Sequence, residues 1–226
     1  MLITFSGLDG SGKTTLIELL KTDLKERRYP AVVLTMYDHI GLYAFLRFLR
    51  DQTAGLIWQG QDRRLVDTPR TTDPDRLGCA VSKRGFLTRL VWTVVRSRLA
   101  KRGALVFDLF VFQFYRWYHE VFCGHVLITD RYFYDSLADV MSASGAAYSR
   151  LLLKIIPRPT LPVFVDVDPG VAFARKGEYS LEYLTKRRAQ YQKIFAHVRR
   201  PLIVFNEELP AARALIQSQA FNAMSN

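Results

Sequence analysis

The chain has 226 residues, 49% of them apolar and 23% charged, close to the globular average. That balance excludes wholesale disorder and fibrous repeats, and the length predicts one domain with a single core. Two cysteines, Cys79 and Cys123, cannot form a disulfide framework and suit a reducing, cytoplasmic setting. The net charge of +11 favours an anionic partner, whether nucleotide, nucleic acid or anionic lipid headgroup, or else reads as a solvated basic face.

The opening Met1 leads straight into an apolar run, Leu2–Phe5, with no charged leader segment. That run predicts a first buried strand. Leu16, Leu19, Leu20 and Leu24 then recur at helical spacing from Lys13 to about Arg28. Pro30 precedes a β-branched run, 31–35, which reads as a second strand. Strand, loop, helix and strand in this order form a βαβ unit, and so a parallel sheet.

Residues 39–51 read as a helix. The polar, Gly- and Pro-punctuated 52–85 stretch reads as either disordered or a substrate-facing loop, and a basic amphipathic helix is expected over 86–101. Residues 52–103 hold eleven basic against four acidic side chains, +7 of the total charge, and are the expected acceptor region. A separate helix is expected over 106–122. The apolar 103–128 stretch is interrupted by Asp108, Arg116, His119 and Glu120, which excludes an uncharged membrane span. Gly124 ends that helix, 125–129 reads as a third strand, and Asp130-Arg131 stand at its carboxyl end. Helices are expected over 134–141 and 147–155. A Pro157–Pro162 connection leads to a fourth strand over 163–167. A short helix follows over 170–175, then one capped by Ser180 through about Val198, a fifth strand over 202–205 and a last helix.

The most informative stretch is Gly7-Leu8-Asp9-Gly10-Ser11-Gly12-Lys13-Thr14, a full match to G-x-x-x-x-G-K-[ST] between a strand and a helix. Amides of such a loop converge on an anion, and the following helix adds its positive end. The phosphate-binding set is Gly7, Asp9, Gly10, Ser11, Gly12, Lys13, Thr14 and Thr15. Lys13 can reach the β/γ-phosphates, and the Thr14 hydroxyl can ligate Mg²⁺. Asp130, at a strand end where ligands bind in open α/β sheets, can hold Mg²⁺ directly or through water, with Asp9 the other candidate, or accept from an attacking group, and Arg131 can clamp a phosphate; an Asp–Arg pair capping the next helix is the plainer reading.

On these residues, with Asp130-Arg131-Tyr132, Ser136, Asp166-Val167-Asp168-Pro169-Gly170 and Arg175, the chain resembles the thymidylate kinase family from Leu2 to about Phe205. The resemblance implies a P-loop kinase fold, with a five-stranded parallel sheet, flanking helices and a basic lid over about 174–182. It also implies an ATP- and Mg²⁺-dependent kinase of nucleotide biosynthesis that phosphorylates a nucleoside monophosphate. Lys13, Asp9, Arg131 and Arg175 would be catalytic, with Arg175 matching the lid's leading arginine. Asp38, Arg131 and Tyr132 would touch the acceptor.

Three departures point to a remodelled acceptor pocket. Thr35-Met36-Tyr37-Asp38-His39 replaces the family's Arg-Glu-Pro-Gly-Gly stretch, Leu109 stands where an arginine is expected after Asp108, and a Tyr-Gln pair after Ser136 is missing. An acceptor other than dTMP, another nucleotide or a sugar phosphate, is therefore a second reading. A non-catalytic, nucleotide-dependent nucleic-acid-binding module is a third. Asp38 reads as a cap for the helix at His39 or as an acceptor for a substrate hydroxyl. Lys186, Arg187 and Arg188 read as a solvated helix face, with lid duty the alternative. Phe110, Phe112, Phe114, Tyr115, Trp117 and Tyr118 read as core or a homodimer face, with base stacking the alternative.

Overall fold

The computed structural model describes residues 1–35, 98–141 and 153–225. The readings on Asp38, His39 and Cys79, on the 39–51 and 86–97 helical stretches and on most of the basic 52–103 region lie outside the described residues. The protein is an α/β structure whose sheet has five parallel strands in the order β2-β3-β1-β4-β5. In chain order the elements are β1 (Leu2–Gly7), α1 (Lys13–Glu26), β2 (Ala31–Thr35), α2 (Arg98–Trp117), a π-helical turn (Tyr118–Phe122), β3 (Val126–Asp130) and α3 (Phe133–Met141). There follow β4 (Leu161–Asp166), α4 (Pro169–Lys176), α5 (Leu181–Phe195), β5 (Leu202–Phe205) and α6 (Leu209–Ser225).

The apolar strand runs are those of a sheet covered on both faces. Successive residues alternate between two cores. Leu2, Leu127 and Phe164 face Phe112, Phe133, Leu137, Tyr191 and Phe195. Ile3, Phe5, Ile128, Val163 and Val165 face Leu16, Leu20 and Leu24 of α1 and Ala212, Ile216 and Ala220 of α6. Burying each such side chain contributes about 1.5–3 kcal/mol, and β1, buried along its whole length, is the central strand. Among the described residues no helix is long and apolar enough to cross a membrane.

Two boundaries differ from the sequence reading. A break between helices near Gly103 does not occur: α2 runs unbroken from Arg98 through Gly103 to Trp117. A lone glycine costs a helix only about 1 kcal/mol, and the flanking Lys101, Arg102, Ala104 and Leu105 are good helix formers. Strand β4 begins two residues early and takes in Pro162, which stands one position before pairing with β5 begins. The cap at Ser180 is as expected, its hydroxyl accepting from the Tyr183 amide at 3.2 Å.

The face 186–188 is not solvated throughout. Arg187 is buried, donating to the Asp135 carbonyl at 3.0 Å, and Arg188 forms a two-pronged pair with Asp166 at 2.7 and 3.0 Å. Helix α5 packs against α3 and α4, which turns that face inward. The aromatic group divides: Phe112 is fully buried, whereas Phe110, Phe114, Trp117 and Tyr118 are exposed.

Candidate functional site

The register of the sheet brings the carboxyl ends of β1, β2 and β3 side by side. Asp130 is level with Phe5 on one side and Thr35 on the other. Between β1 and α1 the chain turns through residues 8–12, closed by a Ser11 amide to Leu8 carbonyl bond of 3.1 Å. Gly12, at the N-terminus of α1, has φ +85°. A Cβ there would run into the Asn206 side-chain nitrogen, and one on Gly7 (φ +152°) into the Val165 carbonyl. Only glycine satisfies both positions.

A cleft of about 430 Å³ opens above this loop, lined by Asp9, Gly10, Gly12, Lys13, Thr14, Thr15, Thr35, Asp130, Arg131, Arg175 and Lys176. The structure thus gathers into one cleft Asp9, Lys13, Thr14, Arg131 and Arg175, which lie up to 166 positions apart in the sequence.

Lys13 is buried, and its Nζ folds back on the loop, donating to the carbonyls of Gly7 (3.1 Å) and Leu8 (2.6 Å). Burial, aided by the nearby Arg131 guanidinium, pulls its pKa down from 10.5 to about 8, against the opposing pull of Asp9, Asp135 and Asp130. Thr14 Oγ1 donates to Asp130 Oδ2 at 3.4 Å. Asp130 Oδ1 is buried and, among the described residues, has no hydrogen-bond partner. Burial raises the Asp130 pKa, with Lys13 and Arg131 holding it back. A buried carboxylate oxygen without a donor, beside a hydroxyl oxygen, is a donor set that fits a hard divalent cation.

Arg131 has a left-handed backbone (φ +67°), rare outside glycine. Its amide is tied to the Phe5 carbonyl at 2.9 Å, and its guanidinium pairs with Asp9 across the cleft. Arg175 lies in the last turn of α4 and reaches the Asn206 carbonyl at 3.5 Å. Lys176 beside it pairs with Glu178 at 3.2 Å. The stretch expected as a lid is the end of α4, closed by left-handed Gly177, and the short turn to Ser180.

Tyr132 is not in the cleft. Its ring is buried among Phe112, Phe133 and Tyr134, and its hydroxyl donates to the Pro157 carbonyl. As the residue just before α3, it turns away from the ligand face that Asp130 and Arg131 occupy. Leu109 and Asp108 are likewise buried.

Two supporting residues, Asn206 and Asp135, have no place in the sequence reading. Asn206, just past β5, donates from Nδ2 to the Ser11 carbonyl at 2.7 Å and so ties the loop to the far side of the sheet. Asp135, fully buried, accepts from Ser6 Oγ (2.6 Å), Tyr191 Oη (2.6 Å) and the Tyr132 amide (3.0 Å). The last of these bonds is the N3-to-N-cap half of a capping box, readable from the position of an acid three residues after the cap. Asn206 carries no comparable signal, because its partner is 195 residues away.

The fold and cleft define an α/β protein with a glycine-lined, cation-rich pocket at the carboxyl ends of its central strands. No protein-family model matches the chain, and a search of curated proteins finds no match.

Proposed function

We propose that the protein is an ATP-dependent, Mg²⁺-requiring phosphotransferase with a P-loop kinase fold, acting on a nucleoside monophosphate or a similar small phosphorylated acceptor. The observation that carries this reading is the junction of the 7–12 loop, Lys13 and the Thr14–Asp130 pair at the ends of β1 and β3.

The loop amides and the N-terminus of α1 bind the donor phosphates. Lys13 leaves the Gly7 and Leu8 carbonyls and takes the β/γ-oxygens instead. Thr14 and Asp130 would hold Mg²⁺, which when bound would supply positive charge against the transferring group. Arg131 and Arg175, which line the same cleft, would stabilise the charge spreading over that group's oxygens, with Asp9 holding the Arg131 guanidinium. Positioning and electrostatics of this kind supply most of the rate in phosphoryl transfer.

A panel of nucleotide and sugar-phosphate acceptors with Mg·ATP, read by ADP release, tests the reading. One acceptor is expected to turn over, and Lys13→Ala to abolish turnover while the circular dichroism spectrum is unchanged. The buried Leu109 in place of an arginine leads us to expect dTMP to be used poorly, with kcat/KM below the usual range of about 10⁴–10⁸ M⁻¹s⁻¹. Calorimetry registering no heat with Mg·ATP would remove the proposal.

A further inference from the structure

At the opposite end of β3 from Asp130, a second cluster of chemically competent side chains comes together. Helix α2 does not stop at Trp117 but widens into the π-helical turn Tyr118–Phe122, with the Cys123 amide reaching back five residues to the Tyr118 carbonyl at 3.3 Å. Such widenings recur at functional sites. Gly124 then reverses the chain in a left-handed conformation (φ +65°), and the His125 amide bonds the His119 carbonyl at 3.0 Å. The turn therefore brings His119, Cys123 and His125 around one point. One ligand atom from each lies within 4.8 Å of the other two, and all three side chains are partly exposed.

The two imidazoles face each other through Nδ1 at 3.2 Å. Two nitrogens bound to a tetrahedral zinc at about 2.0–2.1 Å stand about 3.3 Å apart, so this pair already has the spacing of two sites in one coordination sphere. Cys123 is a free thiol and lies within reach of both. Imidazole and thiolate are the donor types that suit zinc rather than the magnesium or calcium that oxygen ligands take.

We propose that His119, Cys123 and His125 bind one Zn²⁺ ion, with a solvent molecule in the fourth position. On binding, the ring that donates across the 3.2 Å Nδ1···Nδ1 contact shifts its proton to Nε2 by exchange with solvent, so that each imidazole gives an Nδ1 lone pair to the metal, and the Cys123 thiol loses its proton to solvent and binds as thiolate. The site is separate from the phosphate cleft, since the length of β3 is roughly 13 Å, and it does not depend on the kinase reading. Its consequence is structural. The ion would fasten the end of α2 to the start of β3, where the Met1 amino group and Arg116 already converge on Glu120, at 3.2 and 2.8 Å.

Cobalt(II), a spectroscopic substitute for zinc, provides the test in the full chain. One Co²⁺ per chain is expected, with the intense visible bands of a four-coordinate ion and a near-ultraviolet thiolate-to-metal band, both removed by added Zn²⁺. Cys123→Ser should lose the near-ultraviolet band. His125→Gln should weaken binding by more than about a hundredfold, since even outer partners of a ligand contribute ten- to a hundredfold. His197→Gln, on an exposed residue elsewhere, should change nothing. A readout needing no variant is alkylation of Cys123 by iodoacetamide, which Zn²⁺ should slow and Mg²⁺ should not. Absence of the thiolate band in the unmodified chain, binding by Cys123→Ser equal to the parent, or alkylation indifferent to Zn²⁺ would each overturn the assignment.

Discussion

Because burial holds the Lys13 ammonium near pKa 8, triphosphate binding should be coupled to proton uptake. Between about 8 and 10.5 the unfolded chain binds more protons at this group than the folded one, so the ligand-free protein gains stability as pH rises through that window. A bound triphosphate reverses the local balance, since a polyanion against Lys13 favours its charged form. In the free protein Lys13 is about 90% charged at pH 7 and about 10% charged at pH 9, so the affinity for Mg·ATP should fall about tenfold across that interval, about 1.4 kcal/mol. Isothermal titration at pH 8.5 in two buffers of different ionisation enthalpy reads the coupling directly. An uptake of about three quarters of a proton per ATP bound is expected. The uptake should vanish in Lys13→Met. A proton released rather than taken up, or equal uptake in Lys13→Met, would refute the reasoning.

Asp130→Asn keeps the shape of the cleft but removes the charge that the unpartnered Oδ1 offers a cation. The half-saturating Mg²⁺ concentration should rise tenfold or more in an activity titration, and an unchanged requirement would place the metal elsewhere. Asp135→Ala strips the acceptor from Ser6, Tyr191 and the Tyr132 amide at once. Stability should drop by about 3 kcal/mol in urea unfolding with the slope unchanged, and a loss under about 1 kcal/mol would count against the network. Gly12→Ala places a Cβ against Asn206 on a left-handed backbone. It should destabilise the fold by about 1–3 kcal/mol and abolish heat on ATP titration, whereas a variant that still bound ATP normally would show the loop to be more adaptable than described.

What the sequence disclosed, it disclosed through local pattern. The alternating cores of the sheet follow from apolar strand runs, and the turn into α1 follows from glycines that no other residue can replace. Asp130 was recognisable because it follows an apolar strand run whose end must open on the ligand face. Tyr132, two positions on, does not share that placement, because chain proximity does not fix side-chain direction; the start of α3 swings its ring into the core. Arg187 departs from its expected solvated position for a related reason. Three consecutive basic residues suggest water, but α5 buries the middle one against the Asp135 carbonyl. Asn206 and Asp135 act through bonds spanning 195 and 129 residues, which exist only once the sheet has assembled. The His119–Cys123–His125 grouping is short-range, yet it depends on a π-widened turn that residue spacing alone does not announce.

Asn206 grips the glycine loop from the β5 side, while Asp135 anchors Ser6, the residue just before it. The glycine loop is therefore tied down at both margins in the structure itself. On the proposed reading, an incoming phosphate meets a loop already held at both ends and has to draw Lys13 away from the Gly7 and Leu8 carbonyls. Capture should consequently carry little ordering entropy, and its speed should be governed by how fast those internal pairings exchange.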